Sequence, residues 1–174
     1  HLFSSAASDV YKRQVTNNST PTIKGIAEAN STVTLLNGDI VVGTATADSE
    51  GLFSITTNTL EDGVYSLTAK TTDSAENTSS ESSALSITID ATAPNAPSAL
   101  ATSSTVTNNS TPTITGTAEA NSKVTLLNGA VVLGTTTADS EGNFSITLAT
   151  ELEDGNYSLT AKTTDSAENT SSES

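Results

Sequence analysis

One module is written twice in this chain, and that repetition limits its folds more than any single motif does. The nine residues Val-Thr-Asn-Asn-Ser-Thr-Pro-Thr-Ile at 15–23 return unchanged at 106–114, an offset of 91 that holds through Gly51 and Gly142. One extra residue enters the second copy between Leu148 and Leu152, and the offset is 92 from Glu61 and Glu153 to Ser82 and Ser174. Over residues 15–56 and 61–82, 55 of 64 positions are identical. Such a period exceeds the roughly 20–50 residues of a solenoid unit and matches a complete small domain. The expected organisation is domain one at 15–90, a linker at 91–97 holding Pro94 and Pro97, and domain two at 98–174. Copy two reaches Ser174 before any counterpart of Ala84-Leu-Ser-Ile-Thr-Ile-Asp90, so its last strand is expected to be missing.

Residues 1–14 do not share the repeat. Asp9-Val-Tyr-Lys-Arg-Gln14 resembles a translated sequencing-library transposon end, and the segment is read as a non-native scar outside the fold. Removing it leaves four Lys, no Arg and no His, against 19 acids, a net charge of −15. Phosphate backbones are bound through clustered Lys and Arg, so nucleic acid is excluded as a partner and an anionic membrane surface is disfavoured. No apolar run nears the roughly 18 residues of a membrane-spanning helix, so no membrane insertion is expected.

Catalytic chemistry is equally thin. The chain has no Cys, Met or Trp, and its single His is at position 1. That removes disulfides, thiolate metal sites, a cysteine nucleophile and the usual base for a serine nucleophile. The pairs Glu61-Asp62 and Glu153-Asp154 sit beside Gly63 and Gly155, where turns project side chains into water, not across a cleft as a glycosidase requires. Lys70 and Lys162 alternate outward and read as solvated strand charges. Neither an enzyme nor a small-molecule substrate is expected.

Local patterning points to strands. In Tyr65-Ser-Leu-Thr-Ala-Lys-Thr71, Tyr65, Leu67 and Ala69 share one face and Ser66, Thr68 and Lys70 the other. Val33 with Leu35, Phe53 with Ile55, and Leu85 with Ile87 and Ile89 alternate likewise. Turn signals separate these runs at Asn37-Gly38, Asp48-Ser-Glu-Gly51 and Glu61-Asp-Gly63, and again in copy two. Ser and Thr, 59 of 174 residues, fill outward strand positions. Strands of this length and spacing predict an all-β sandwich of about seven antiparallel strands. In copy two they are expected at 98–101, 112–117, 123–127, 131–137, 144–148 and 157–163. Phe53, Tyr65, Phe144 and Tyr157 all fall at expected core positions, leaving no aromatic platform for a sugar.

Asp62-Gly-Val-Tyr65-Ser-Leu67 and Asp154-Gly-Asn-Tyr157-Ser-Leu159 resemble the tyrosine corner of immunoglobulin-like sandwiches, with Leu where antibody domains carry a Cys. Thr-Pro-Thr-Ile-x-Gly-x-Ala-Glu, Ala-Asp-Ser-Glu-Gly-x-Phe-Ser and Thr-Asp-Ser-Ala-Glu-Asn-Thr-Ser, in that order, resemble the tandem bacterial Ig-like repeats of giant surface adhesins, including RTX-type and biofilm-associated proteins. The resemblance implies tandem immunoglobulin-like β-sandwiches, partnered by neighbouring repeats of the same chain, in an extracellular stalk on a bacterial surface. An accessory ligand- or carbohydrate-binding module of a secreted protein is the alternative.

With this wiring, the loops carrying Glu119, Asp165 and Asn169 fall at one end of domain two. Asp62 and Asp90 fall at the opposite end of domain one, so two acidic ends would meet at the joint. Like charges must spread apart or share a cation, and Ca²⁺ takes 6 to 8 oxygens of the kinds these residues supply. The expected ligands are Asp90, Asp165 and Asn169, joined by Glu119 or Asp62, with Asp73 and Asn77 as the equivalent pair at the upstream joint. Against this, Asp-x-x-x-Asn is also ordinary turn chemistry, and no EF-hand pattern occurs.

Overall fold

The computed structural model describes residues 14–174. Residues 1–13, nearly all of the stretch read as foreign, lie outside them, and Gln14 opens the first strand. Two compact units divide the chain, His1–Ala91 and Thr92–Ser174. No helix occurs among the described residues, so none is long and apolar enough to cross a membrane.

Unit one holds β1 (Gln14–Thr16), β2 (Thr22–Ile26), β3 (Thr32–Asn37), β4 (Ile40–Thr46), β5 (Leu52–Thr56), β6 (Gly63–Thr72) and β7 (Leu85–Ile89). They form a five-stranded sheet in the order β1-β7-β6-β3-β4 and a two-stranded sheet β2-β5. All pairs are antiparallel except β1 with β7, which is parallel. The alternation read from sequence sets the inner faces: Ile23, Phe53 and Ile55 from the small sheet meet Val33, Leu35, Leu67, Ala69, Ile87 and Ile89 from the large one. Val33, Leu35, Leu67 and Ala69 are wholly buried.

The β3-β4 hairpin turns at the Asn37-Gly38 signal. Asn37 pairs with Ile40, so the two-residue loop is Gly38 and Asp39. Only Gly38 has positive φ, at 58°, the type II′ pattern with glycine first. Further along, the register shifts between Leu35 and Leu36, where Leu35 faces Gly43 and Leu36 faces Val41. This bulge turns the extra residue, Val42, into the core while Ile40 and Val41 stay exposed. Gly43 then allows close approach of the two sheets, since a Cβ there would lie 2.5 Å from Cγ2 of Ile55.

Unit two repeats the plan with β8 (Ser98–Thr102), β9 (Thr113–Thr117), β10 (Lys123–Asn128), β11 (Val131–Thr137), β12 (Asn143–Thr147) and β13 (Leu159–Thr164). The sheets are β11-β10-β13 and β12-β9-β8. Five of the six strands match their expected positions to within a residue or so at either end. The sixth opens at Leu159, not Tyr157, for a physical reason. In unit one, residues 63–67 are held by pairing with β7, and unit two has no counterpart of β7 among its strands. Leu159 is accordingly only partly buried where Leu67 is wholly so. Tyr157, expected in the core, is 38% exposed. Val106, counterpart of the β1 residue Val15, is 87% exposed for the same reason.

Candidate functional site

The candidate ligands lie at the ends of the sandwiches, where sheet twist and hairpin register gather the loops. In unit two, the amide of Asn121 donates to the carbonyls of Ala138 and Asp139, at 3.2 Å each, joining the β9-β10 and β11-β12 loops. Lys123 pairs with Thr164, which brings the loop after β13 to the same end. Unit one shows the same gathering, with Asn30 donating to Ala47 and Asp48. The end on which sequence placed Glu119, Asp165 and Asn169 is therefore a real neighbourhood of loops within unit two.

Each loop nevertheless closes on itself. Asp73 Oδ1 accepts the amides of Ala75 at 2.8 Å and Asn77 at 2.9 Å, and its Oδ2 accepts Asn77 Nδ2 at 2.8 Å. Asp165 repeats this with Ala167 at 2.8 Å, Asn169 at 2.9 Å and Asn169 Nδ2 at 2.8 Å. Each pair is built as an Asx turn, the turn chemistry that the sequence reading set beside metal ligation. The Asn77 side chain and amide hold the Asp73 carboxyl below its ordinary value. Asp48 and Asp139 cap their turns alike, each accepting two amides, from Glu50 and Leu52 or from Glu141 and Asn143.

Glu119 enters through its backbone. Its carbonyl accepts the Ser122 amide at 3.2 Å and hydroxyl at 2.5 Å, and Asn121 takes a left-handed φ of 61°. Glu119 also lines a shallow cavity of about 290 Å³ with Asn95, Ala96, Ser98, Thr117 and Ala118. At the far end of unit one, Asp62 Oδ1 accepts the amide of Ala91 at 2.8 Å, and Asp90 donates its amide to Thr16 at 2.9 Å. Because Gly63 pairs with Ile89, Asp62 and Asp90 flank one rung of the β6-β7 ladder. The structure therefore brings the seven candidates together as Asp62 with Asp90, Asp73 with Asn77, and Asp165 with Asn169 near Glu119. Among the described residues, no three His, Cys, Asp or Glu side chains gather closely enough to hold a metal ion.

The resemblance to a tyrosine corner has a direct counterpart. Tyr65 donates its hydroxyl to the carbonyl of Glu61 at 2.9 Å, and Tyr157 donates to that of Glu153 at 3.0 Å. Copy two keeps this bond although its tyrosine has lost core cover, so the corner is set locally by the Glu-Asp-Gly turn.

Two features escaped the sequence reading. Lys70, read as solvated, lies 3.1 Å from Glu81, which also accepts the Thr68 hydroxyl, and Lys162 repeats this with Glu173. Ser79 and Ser82 cross the β6 edge, where Ser79 Oγ accepts the Thr71 amide and Ser82 Oγ the Ala69 amide, each at 3.0 Å. The only sequence signal for either was the intact return of both segments in copy two.

Lys70 and Thr68 hold the Glu81 carboxyl below its ordinary 4.5, and Lys162 and Thr160 do so for Glu173. A carboxyl depressed in the fold contributes stability above its unfolded pKa and loses it as pH falls through the folded value. Melting temperature is therefore expected to hold from pH 7 to about 5 and to fall below about 4.5. In thermal scans at stepped pH, Lys70→Met with Lys162→Met should shrink that acid-side fall; because these pairs are exposed, the effect at neutral pH should be small.

A family model described as a bacterial Ig-like domain matches twice, at residues 4–91 and 92–174. The chain belongs to the bacterial Ig-like domain family. Among solved structures, the fibronectin(III)-like modules of Clostridium thermocellum CbhA are similar at a TM-score of 0.51 and 17% identity, covering 93% of this chain and 85% of theirs. That likeness supports the sandwich fold of the two bacterial Ig-like domains. The BSP domain of a biofilm-associated protein matches at 25% identity and a TM-score of 0.36, over 96% of this chain and 30% of its own. The D0-D1 domain of intimin matches at 22% and 0.31, over 92% of each chain. No curated protein matches the chain. Ig-like families are typically structural modules without enzymatic activity.

Proposed function

We propose that these tandem bacterial Ig-like domains are a spacer segment of a long extracellular adhesin, adding length between a bacterial surface and a distal binding domain. The observation that carries this reading is the repetition itself: two near-identical modules in series, each with its own core and with the turn glycines Gly38, Gly51 and Gly63 returning as Gly129, Gly142 and Gly155. A module selected for a ligand would need to keep a distinctive surface constellation. Here the nine differences between aligned copies include exposed pairs that change chemistry together. Ile26 and Leu52, cross-strand partners on the outer face, become Thr117 and Asn143.

The reading extends to the linker. Asp62 and Asp90 at one end of unit one, with Asp165, Asn169 and Glu119 at one end of unit two, supply the oxygen types Ca²⁺ takes, and a shared ion would stiffen the joint. Calorimetric unfolding in EDTA and in millimolar Ca²⁺, with an Asp90→Ala/Asp165→Ala double variant alongside, tests this. A Ca²⁺-dependent rise in melting temperature that the double variant loses supports the joint site. No rise, or one the variant retains, leaves a flexible acidic spacer.

A further inference from the structure

We propose that the groove between β11 and β12 of unit two is a binding site for a neutral saccharide, a function beyond spacing. Spacing depends on what the two copies share, and this groove depends on where they differ. β11 and β12 are edge strands of the two opposed sheets, and the cavity between them, about 630 Å³, falls within the size range of small-molecule sites. Four of the nine differences between the aligned copies fall on the nine residues that line it, and the other five are spread over the remaining 55 positions. All four change in one direction. Lys24, Ile26, Ala45 and Leu52 become Thr115, Thr117, Thr136 and Asn143, so every one of these positions gains a hydroxyl or a carboxamide.

Register sets these groups side by side. Asn143 lies opposite Thr117 and Ser145 opposite Thr115 on the β9-β12 ladder, and Thr136 lines the β11 side. Thr115 donates its hydroxyl to the Ala101 carbonyl at 3.4 Å, and Thr117 shares a 2.9 Å bond with the Ser98 hydroxyl, which orients both. Asn143 donates its Nδ2 to Asp139 Oδ2 at 3.4 Å, where Leu52 in unit one has no polar side-chain atom to offer Asp48. The Asn143 amide holds the Asp139 carboxyl below its ordinary 3.8, so the groove contains an ionised acceptor at neutral pH. This chemistry selects the ligand. No lining residue is Lys or Arg, so an anion would meet the Asp139 charge uncompensated. A metal ion would find one carboxylate where it needs several. Hydroxyls that both donate and accept, set around a carboxamide and a carboxylate, match the hydroxyls of a sugar ring. Phe144 is buried, so no aromatic face stacks beneath that ring, and affinity is expected near the millimolar range.

Titration of the isotope-labelled 174-residue chain with the methyl glycosides of glucose, galactose, mannose and N-acetylglucosamine, followed through amide chemical shifts, tests the site. At least one glycoside is expected to shift residues 115–117, 136–137 and 143–145 saturably. The counterparts at 24–26, 45–46 and 52–54 should stay still, and glycerol, a polyol without a ring, should move neither set. Thr115→Lys, Thr117→Ile, Thr136→Ala and Asn143→Leu together restore the side chains of unit one, which the same strands already accommodate there. That variant should lose the shifts and keep the melting temperature of unit two. The reverse set in unit one, Lys24→Thr, Ile26→Thr, Ala45→Thr and Leu52→Asn, makes all nine lining positions identical to those of unit two and should create a second saturable site. No saturable shift with any of the four glycosides would overturn the proposal. So would equal shifts in both units of the unaltered chain, shifts that survive the restored side chains, or a reverse set that binds nothing. Each of those results leaves the spacer reading standing, since that rests on length and is measured separately.

Discussion

Hydrogen exchange on the 174-residue chain is expected to show slow exchange at residues 63–67 and fast exchange at residues 155–159, although the two stretches differ only at Val64 and Asn156. The difference is one strand. β7 pairs with residues 63–67 and buries Ile87 and Ile89, and each buried isoleucine contributes roughly 1.5–3 kcal/mol. These side chains and the ladder they complete work against the entropy of ordering the strand. Appending residues 83–90 after Ser174 should therefore raise the melting temperature of unit two, by about 4–8 °C for each kcal/mol of net gain in a domain of this size. The same addition should bring the exchange of residues 155–159 to that of residues 63–67. Equal protection in both copies before the strand is added would show that β7 contributes little.

A second large effect is expected from a single methyl group. Gly51 has φ of +83°, and a Cβ there would run into the backbone carbonyl oxygen of Ala27. Ala27 is itself tied back to Gly51, donating its amide to the Gly51 carbonyl at 2.8 Å, so neither backbone can yield without breaking the β2-β5 end. Gly51→Ala is expected to destabilise unit one by about 3 kcal/mol or more, combining left-handed strain with a clash that no side-chain rotation relieves. Gly38→Ala is the control. Its φ of +58° carries the same kind of strain, but nothing lies within 4 Å of a Cβ there, so the cost should be about 1 kcal/mol. Equal losses for the two variants in denaturant melts would show that strain alone, and not the Ala27 contact, makes Gly51 glycine.

Strand identity was legible because alternation is a local signal, and Val33-Leu35, Phe53-Ile55 and Leu67-Ala69 point inward as their spacing requires. Pairing was less legible. Nothing local distinguishes Val15-Thr16 from a loop, and it becomes a strand only where β7 is present to receive it; the same residues at 106–107 do not. The dipeptide Asn37-Gly38 marked the hairpin, but the β4 bulge that turns Val42 inward is a cross-strand effect that a dipeptide cannot carry. At the candidate site, sequence found Asp73 with Asn77 and Asp165 with Asn169, and both pairs are in contact. Sequence held turn chemistry open beside metal ligation, and each carboxylate does accept amides of its own loop, which the left-handed Glu76 and Glu168 fold back.

A spacer adds length with every copy. X-ray scattering on chains carrying two, four and eight copies of the module, each completed by its last strand, measures that growth. The maximum dimension is expected to grow in proportion to copy number while the cross-sectional radius stays that of one sandwich. A maximum dimension that levels off as copies are added, with the chain compacting as a single globule does, would contradict it.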